Sequence, residues 1–185
     1  MRILIAYATK YGSTKGIAER IAAKLTDEGL DVDIETVESA SIETAGDLAQ
    51  YDAFVIGSAV FAAHWMKPAA RFIRDFSQLL ASRPVWLFSV GPLGPKQAAP
   101  MKPRDFDENT AAVGAREHRV FYGAMDVARL RGADRLLSLM FKSTQGEFRD
   151  WDEIESWAMS IARELPRQTS GLGRSEAGIV PISQD

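Results

Sequence analysis

The chain has 185 residues, 46% of them hydrophobic and 25% charged, the size and composition of one globular domain with a full core. Its formal net charge of −3 calls for no nucleic-acid partner and no membrane on charge alone. It contains no cysteine, which excludes disulfides, thiolate metal sites and cysteine nucleophiles, and no metal is expected.

In chain order, the first element is the apolar run Ile3–Ala8, read as a strand covered on both faces. A turn of hydroxyls, small residues and one glycine follows, Thr9-Lys10-Tyr11-Gly12-Ser13-Thr14. A helix starting near Ser13 places Ile17, Ala18, Ile21, Ala22 and Leu25 on one face, and Gly29 stops it. Asp31–Val37 alternates acidic and apolar residues, so only one face is dry and the strand belongs at a sheet edge. Ala53–Ile56 is the third strand, with a loop over Gly57–Pro68. Pro68 suits the first turn of a helix carrying Phe72, Ile73, Phe76 and Leu79. Val85–Val90 is the fourth strand, and Ser89–Pro100 is its Gly- and Pro-rich loop. A helix over about 105–116 with Gly114 near its end precedes a short fifth strand, Val120–Tyr122. The last helix has the clearest apolar stripe, from Ile154 through Trp157, Ala158, Ile161 and Ala162 to Leu165, and Asp150 with Glu153 makes a capping box before it. From about Gln168 periodicity gives way to Ser and Gly, so the division is a domain over 1–166 and a mobile tail over 167–185. No apolar stretch suits a signal-peptide core or a bilayer span, and the location expected is the cytoplasm.

Strand and helix alternating in this way give an α/β doubly wound fold: five parallel strands with helices on both faces. With the second strand at an edge, the order is 2-1-3-4-5. A ligand then sits beyond the carboxyl ends of the strands, at the switch point between strands 1 and 3. Three loops converge there. The first lacks GxGxxG and GK[ST], which removes dinucleotide and P-loop chemistry. Thr9, Ser13 and Thr14 offer hydroxyls, Gly12 lets the backbone come close, and the helix start offers free N–H groups to a phosphomonoester. The same residues also fit a plain reading in which Ser13 or Thr14 only caps the helix.

Tyr7, Thr9, Gly12, Thr14, Ala18 and Ile21 fall at the spacing aromatic-x-Thr-x2-Gly-x-Thr-x3-Ala-x2-Ile directly after the first strand. This resembles the FMN-phosphate signature of the flavodoxin family; Ala6 departs from it, where a larger apolar residue is usual. The resemblance implies FMN, with its phosphate on Thr9, Lys10, Tyr11, Gly12, Ser13 and Thr14. It also implies a ring flanked by the second loop, through Ser58, Ala59, Val60 and Phe61, and by the third, through Ser89, Val90, Gly91, Pro92, Leu93 and Gly94. Phe61 or Trp65 serves as the stacking or edge partner, and Trp65 also fits as packing under the next helix. His64 is read as an exposed loop histidine or as a proton donor. The third loop has no tyrosine, and Leu93 is its largest side chain. That departs from the electron-carrier pattern and leaves one ring face open to a substrate.

Gly123-Ala124-Met125-Asp126, with Arg129, Arg135 and the stretch Gly146, Glu147, Arg149, Asp150, Trp151, is similar to a narrower branch of that family, the proteins like bacterial menaquinone-dependent protoporphyrinogen oxidase. Between them, Leu136, Leu137, Leu139, Met140 and Phe141 are flanked by Arg129, Arg131, Arg135 and Lys142. Segment 129–142 reads in two ways: a weak contact with a membrane surface, a quinone or a porphyrin carboxylate, or a helix on the sheet with its arginines paired to Asp126 and Asp134. The function implied is an FMN-dependent oxidoreductase passing electrons from a reduced small molecule to a quinone-type acceptor. The chemistry lies on the flavin, and no side chain stands out as catalytic. The alternatives are a non-enzymatic flavodoxin carrier and an FMN-free interaction domain.

Overall fold

The computed structural model describes residues 1–91, 102–125 and 146–166. The first strand, β1 (Arg2–Ala8), sets the architecture. Ile3, Ile5 and Tyr7 point into one core cluster, and Leu4, Ala6 and Ala8 into the other, so β1 is dry on both faces. Only a central strand of a sheet covered by helices on both sides can satisfy that pattern. The parallel partners of β1 are β2 (Asp31–Thr36) and β3 (Ala53–Phe61). Beyond β3 lie β5 (Val85–Val90) and β6 (Glu117–Phe121), giving the order β2-β1-β3-β5-β6. These five parallel strands have the expected order, with the half-dry strand at the edge. A two-residue strand, β4 (His64–Trp65), folds back antiparallel on β3.

Helix α1 (Ser13–Asp27) buries Ile17, Ala18, Ile21, Ala22 and Leu25 against one sheet face, the stripe read from the sequence. The last helix, α6 (Trp151–Glu164), packs beside it through Ile154, Trp157, Ala158 and Ile161. Asp150 caps α6 by accepting the Glu153 N–H at 3.0 Å. The opposite face is covered by α3 (Lys67–Asp75), α4 (Ser77–Ala81) and α5 (Phe106–Val113). The helix expected after Pro68 is broken in two at Phe76, whose φ of −112° leaves the helical range. A 3-10 turn (Ala40–Ile42) and α2 (Ala45–Leu48), with a Thr44/Asp47 capping box, occupy a stretch for which the sequence suggested no element.

Two boundaries differ from expectation in ways that matter for the site. The third strand does not end at Ile56 but runs on to Phe61, so Gly57–Phe61 is ladder rather than loop. Gly57 is required by close packing: a Cβ there would lie 2.0 Å from the Phe88 ring. The fifth parallel strand, β6, begins at Glu117 rather than Val120 and ends before Tyr122. Short strands β7 (Ala124–Met125) and β8 (Gly146–Glu147) pair antiparallel. Pro92, Leu93, Gly94, segment 129–142 and the tail 167–185 lie outside the described residues.

Candidate functional site

At the carboxyl end of the sheet Ala8 pairs with Ser58, and Ser58 with Ser89, while β3 runs on past its neighbours to Phe61. Above them the first loop leads into α1. Its cap is neither Ser13 nor Thr14 but Gly12, in the left-handed region at φ 88°. That conformation costs an L-residue about 1–2 kcal/mol, which explains the glycine. Thr9 Oγ1 accepts the Gly12 N–H at 3.0 Å and closes the turn. Ser13 Oγ accepts the Ala124 N–H at 2.9 Å, tying the chain after β6 to the start of α1. No side chain of Gly12's neighbourhood caps α1 among the described residues.

Thr14 is fully buried in the first turn of that uncapped helix, and its Oγ1 has no hydrogen-bond partner among the described residues. A buried hydroxyl left unpaired costs about 1–3 kcal/mol. The helix start therefore holds a polar atom and a positive dipole end that an acceptor supplied from outside the chain would satisfy. Lys10 spans the mouth: its Nζ lies 5.1 Å from the Tyr11 ring centroid and 4.2 Å from that of Phe61.

Phe61 belongs to the second wall and is the exposed ring of the pair considered, at 56%. Trp65 is buried at 3%, packed with Ala69 and Phe72, so it is a support and not a surface. The wall is a hairpin with Ala62 and Ala63 both at positive φ, 49° and 65°. Two positive φ values are the pattern of a tight type I′ connection, which ordinarily takes Asn-Gly. Two alanines hold it against their own preference because neighbours fix them. The Arg104 N–H donates to Ala63 O at 2.8 Å, and the Trp65 N–H to the Asp105 carboxylate at 3.0 Å. Ser58 Oγ accepts the Met66 N–H at 3.0 Å and donates to Ala59 O at 2.9 Å. Ser58 and Ser89 are both buried, and their hydroxyls hold the walls. Ala59 and Val60 are half-buried at the rim. On the third wall Gly91, at φ 144°, approaches the second, with Val60 Cβ 3.4 Å from where its own Cβ would be.

His64 is exposed, with Nδ1 3.9 Å from Asp105. The histidine that reaches the site is the other one, His118, which the sequence reading passed over. Ser89 Oγ receives the Trp65 Nε1–H at 2.7 Å and lies 2.9 Å from His118 Nε2. His118 Nδ1 lies 2.9 Å from Thr110 Oγ1, which donates to Phe106 O at 2.6 Å. Phe106 stacks on the imidazole at 3.8 Å, and Trp65 meets it edge-on at 5.5 Å. Burial, opposed by a hydrogen bond to the Phe106 backbone and helped by positive Lys102, pushes His118 down from the ordinary 6.5 to about 4. The available signal was the alternation in β6: Glu117 and Arg119 lie on the α6 face, which puts His118 on the other.

The stretch 146–151 meets α1. Arg149 pairs with Glu147, and its guanidinium lies 4.4 Å from the Trp151 ring centroid. Its Nη1 is 2.5 Å from where a Cβ on Gly16 would be.

A model of the flavodoxin domain family matches residues 4–150, which takes in β1, the cradle, both walls and the 146–150 stretch. The chain belongs to the flavodoxin domain family. Its curated relatives include proteins named protoporphyrinogen IX dehydrogenase [quinone]. That of Escherichia coli (strain K12) is 27% identical over 183 residues, covering 91% of this chain and 99% of its own. That of Leishmania major is 24% identical, covering 87% of this chain and 74% of its own. Among solved structures, oxidised Flavodoxin 2 from Bacillus cereus aligns at TM-score 0.60 and 22% identity, covering 89% of this chain and all of that one. A flavodoxin from the domain Archaea aligns at 0.58 and 17%, covering 89% and 98%. These alignments show the flavodoxin-like fold. FMN is the cofactor of this flavodoxin-family protein, and the unpaired Thr14 hydroxyl under an uncapped helix start fits the phosphate. No helix among the described residues is long and apolar enough to cross a membrane.

Proposed function

We propose that this protein is an FMN-dependent oxidoreductase that takes electrons from a reduced small-molecule donor and gives them to a quinone-type acceptor, with a porphyrinogen as the candidate donor. The supporting observation is the cradle: a buried, unpaired Thr14 Oγ1 in the first turn of a helix capped only by left-handed Gly12. The FMN phosphate belongs on the Thr9–Thr14 turn, and the ring between Ser58–Phe61 and Ser89–Gly94. The flavin supplies the electron chemistry when bound. The protein supplies position. Ser13 anchors the turn to Ala124, Ser58 and Ser89 hold the walls, and Phe61 offers an open ring at the mouth. Lys10 lies over that ring and brings positive charge to the entrance, suited to an acidic aromatic substrate. The donor and acceptor classes rest on the names of relatives about a quarter identical to this chain.

The test uses the full chain loaded with FMN. The flavin is bleached chemically under argon and mixed with a soluble naphthoquinone, and the return of its visible absorbance is followed. Rapid return with saturation in quinone supports the enzyme. Return no faster than in buffer, together with fast exchange to a carrier-type redox protein, would place the chain with the non-enzymatic flavodoxins. A chain that stays colourless after FMN addition would discard both.

A further inference from the structure

We propose that His118 is a positioning residue for the flavin ring: one half-buried imidazole joins the second and third walls of the site to α5. The inference rests on the reading that the ring lies between those walls.

The hydrogen bonds assign its state. Trp65 Nε1 can only donate, so Ser89 Oγ accepts from it and turns its own proton to His118 Nε2. Thr110 spends its proton on Phe106 O, so Nδ1 carries the imidazole's proton and donates to Thr110 Oγ1. The chain runs Trp65, Ser89, His118, Thr110, Phe106 O, with every donor matched to an acceptor. It links four elements: β4 of the second wall, the end of β5 below the third wall, β6 and α5. Ser89 lies two residues before Gly91, and Trp65 pairs with Val60 across the hairpin. Rotation or loss of this ring would therefore release both walls together.

A neutral imidazole is part of the device. A proton on Nε2 would give Ser89 Oγ two N–H donors and leave its own proton without the acceptor it uses now. The burial that holds His118 uncharged at neutral pH guards against this. Charged and titratable neighbours are few. Lys102 Nζ stands 4.3 Å from the Phe106 ring centroid. Asp105 accepts the Trp65 N–H and lies near His64. Asp107 and Glu108 of α5 are exposed, Glu117 and Arg119 of β6 occupy the opposite face, and β5 presents only uncharged residues.

Two measurements decide it. At pH 8, FMN is titrated into wild type, His118→Phe, His118→Gln and Thr14→Val, with inorganic phosphate as a competitor. His118→Phe should weaken FMN about tenfold, the effect of released walls that hold the binding geometry only about a tenth of the time, with the phosphate competition constant unchanged. His118→Gln, whose amide oxygen can accept from Ser89, should recover most of the loss. Thr14→Val reports separately on the phosphate site. If it leaves FMN and phosphate unchanged, the cradle reading fails while His118 still stands on its own result. In the wild type, which needs no variant to fold, histidine 15N NMR should show the Nδ1–H tautomer. The His118 titration midpoint should fall when FMN binds, because walls held by the ring disfavour the charged form. The phosphate's negative charge acting alone would raise it. Equal FMN affinity in His118→Phe, or a midpoint unmoved or raised by FMN, overturns the proposal.

Discussion

Thr14→Val is the most discriminating change because it moves two quantities in opposite directions. Valine replaces the hydroxyl with a methyl of nearly the same shape in a fully buried site, so packing is preserved. In the ligand-free protein Oγ1 has no partner, and removing it relieves a desolvation cost of about 1–2 kcal/mol. The ligand-free protein should become more stable by about that amount, read as a higher urea midpoint at unchanged slope. With the phosphate where we propose it, the same hydroxyl faces a charged acceptor in the FMN complex, a hydrogen bond worth about 1.5–3 kcal/mol. FMN affinity should therefore fall about 10- to 100-fold. Riboflavin, which lacks the phosphate, should bind both proteins alike. The assay is fluorescence titration with each flavin, paired with urea unfolding of the flavin-free proteins. A variant that loses stability without flavin, or binds FMN as tightly as the wild type, would show that the hydroxyl is satisfied by the chain and that the phosphate sits elsewhere.

Three further outcomes follow from packing, turn geometry and charge. Gly57→Ala should destabilise the fold by about 2–3 kcal/mol in urea, because its Cβ meets the Phe88 ring wedged between Phe121 and Trp157, where nothing can yield cheaply. Replacing Ala62-Ala63 with Asn-Gly should raise the melting temperature, by an amount equivalent to about 1 kcal/mol, since both positions have positive φ. A melting temperature unchanged or lowered would mean that the hairpin carries no strain. His118 binds its proton at about pH 4 in the fold and near 6.5 when unfolded, so between those values the unfolded chain holds the extra proton. Its contribution is complete above pH 6.5 and is lost as pH falls toward 4, at most about 3 kcal/mol. His118→Gln should flatten that part of a pH–stability profile.

The sheet was legible because burial wrote it directly. Ile3–Ala8 had to be central and Asp31–Val37 had to be an edge, and both follow from which faces of a strand can tolerate charge. The cradle was legible as a type of turn, but not its decisive state. That Thr14 lacks a partner, and that Gly12 rather than a hydroxyl caps α1, depends on where Ser13 finds its bond, 111 residues away at Ala124. The hairpin was hidden because Ala62-Ala63 carries none of the glycine or asparagine that marks a tight connection. Its strain is offset by Arg104 and Asp105, which no local pattern reveals. β6 was read short because its outward residues, Glu117 and Arg119, are charged, and His118 was lost with them. The break at Phe76 has no sequence signal that we can identify.

The bond between Ser13 and Ala124 also has a consequence for the order of events on the ribosome. The turn for the cofactor is synthesised more than a hundred residues before the strut that braces it. Helix α1 packs on α6, which ends at Glu164, and Arg149 lies against Gly16. A nascent chain therefore displays the FMN signature long before it owns a finished cradle. The braced form of the cradle therefore exists only once the chain through α6 is in place.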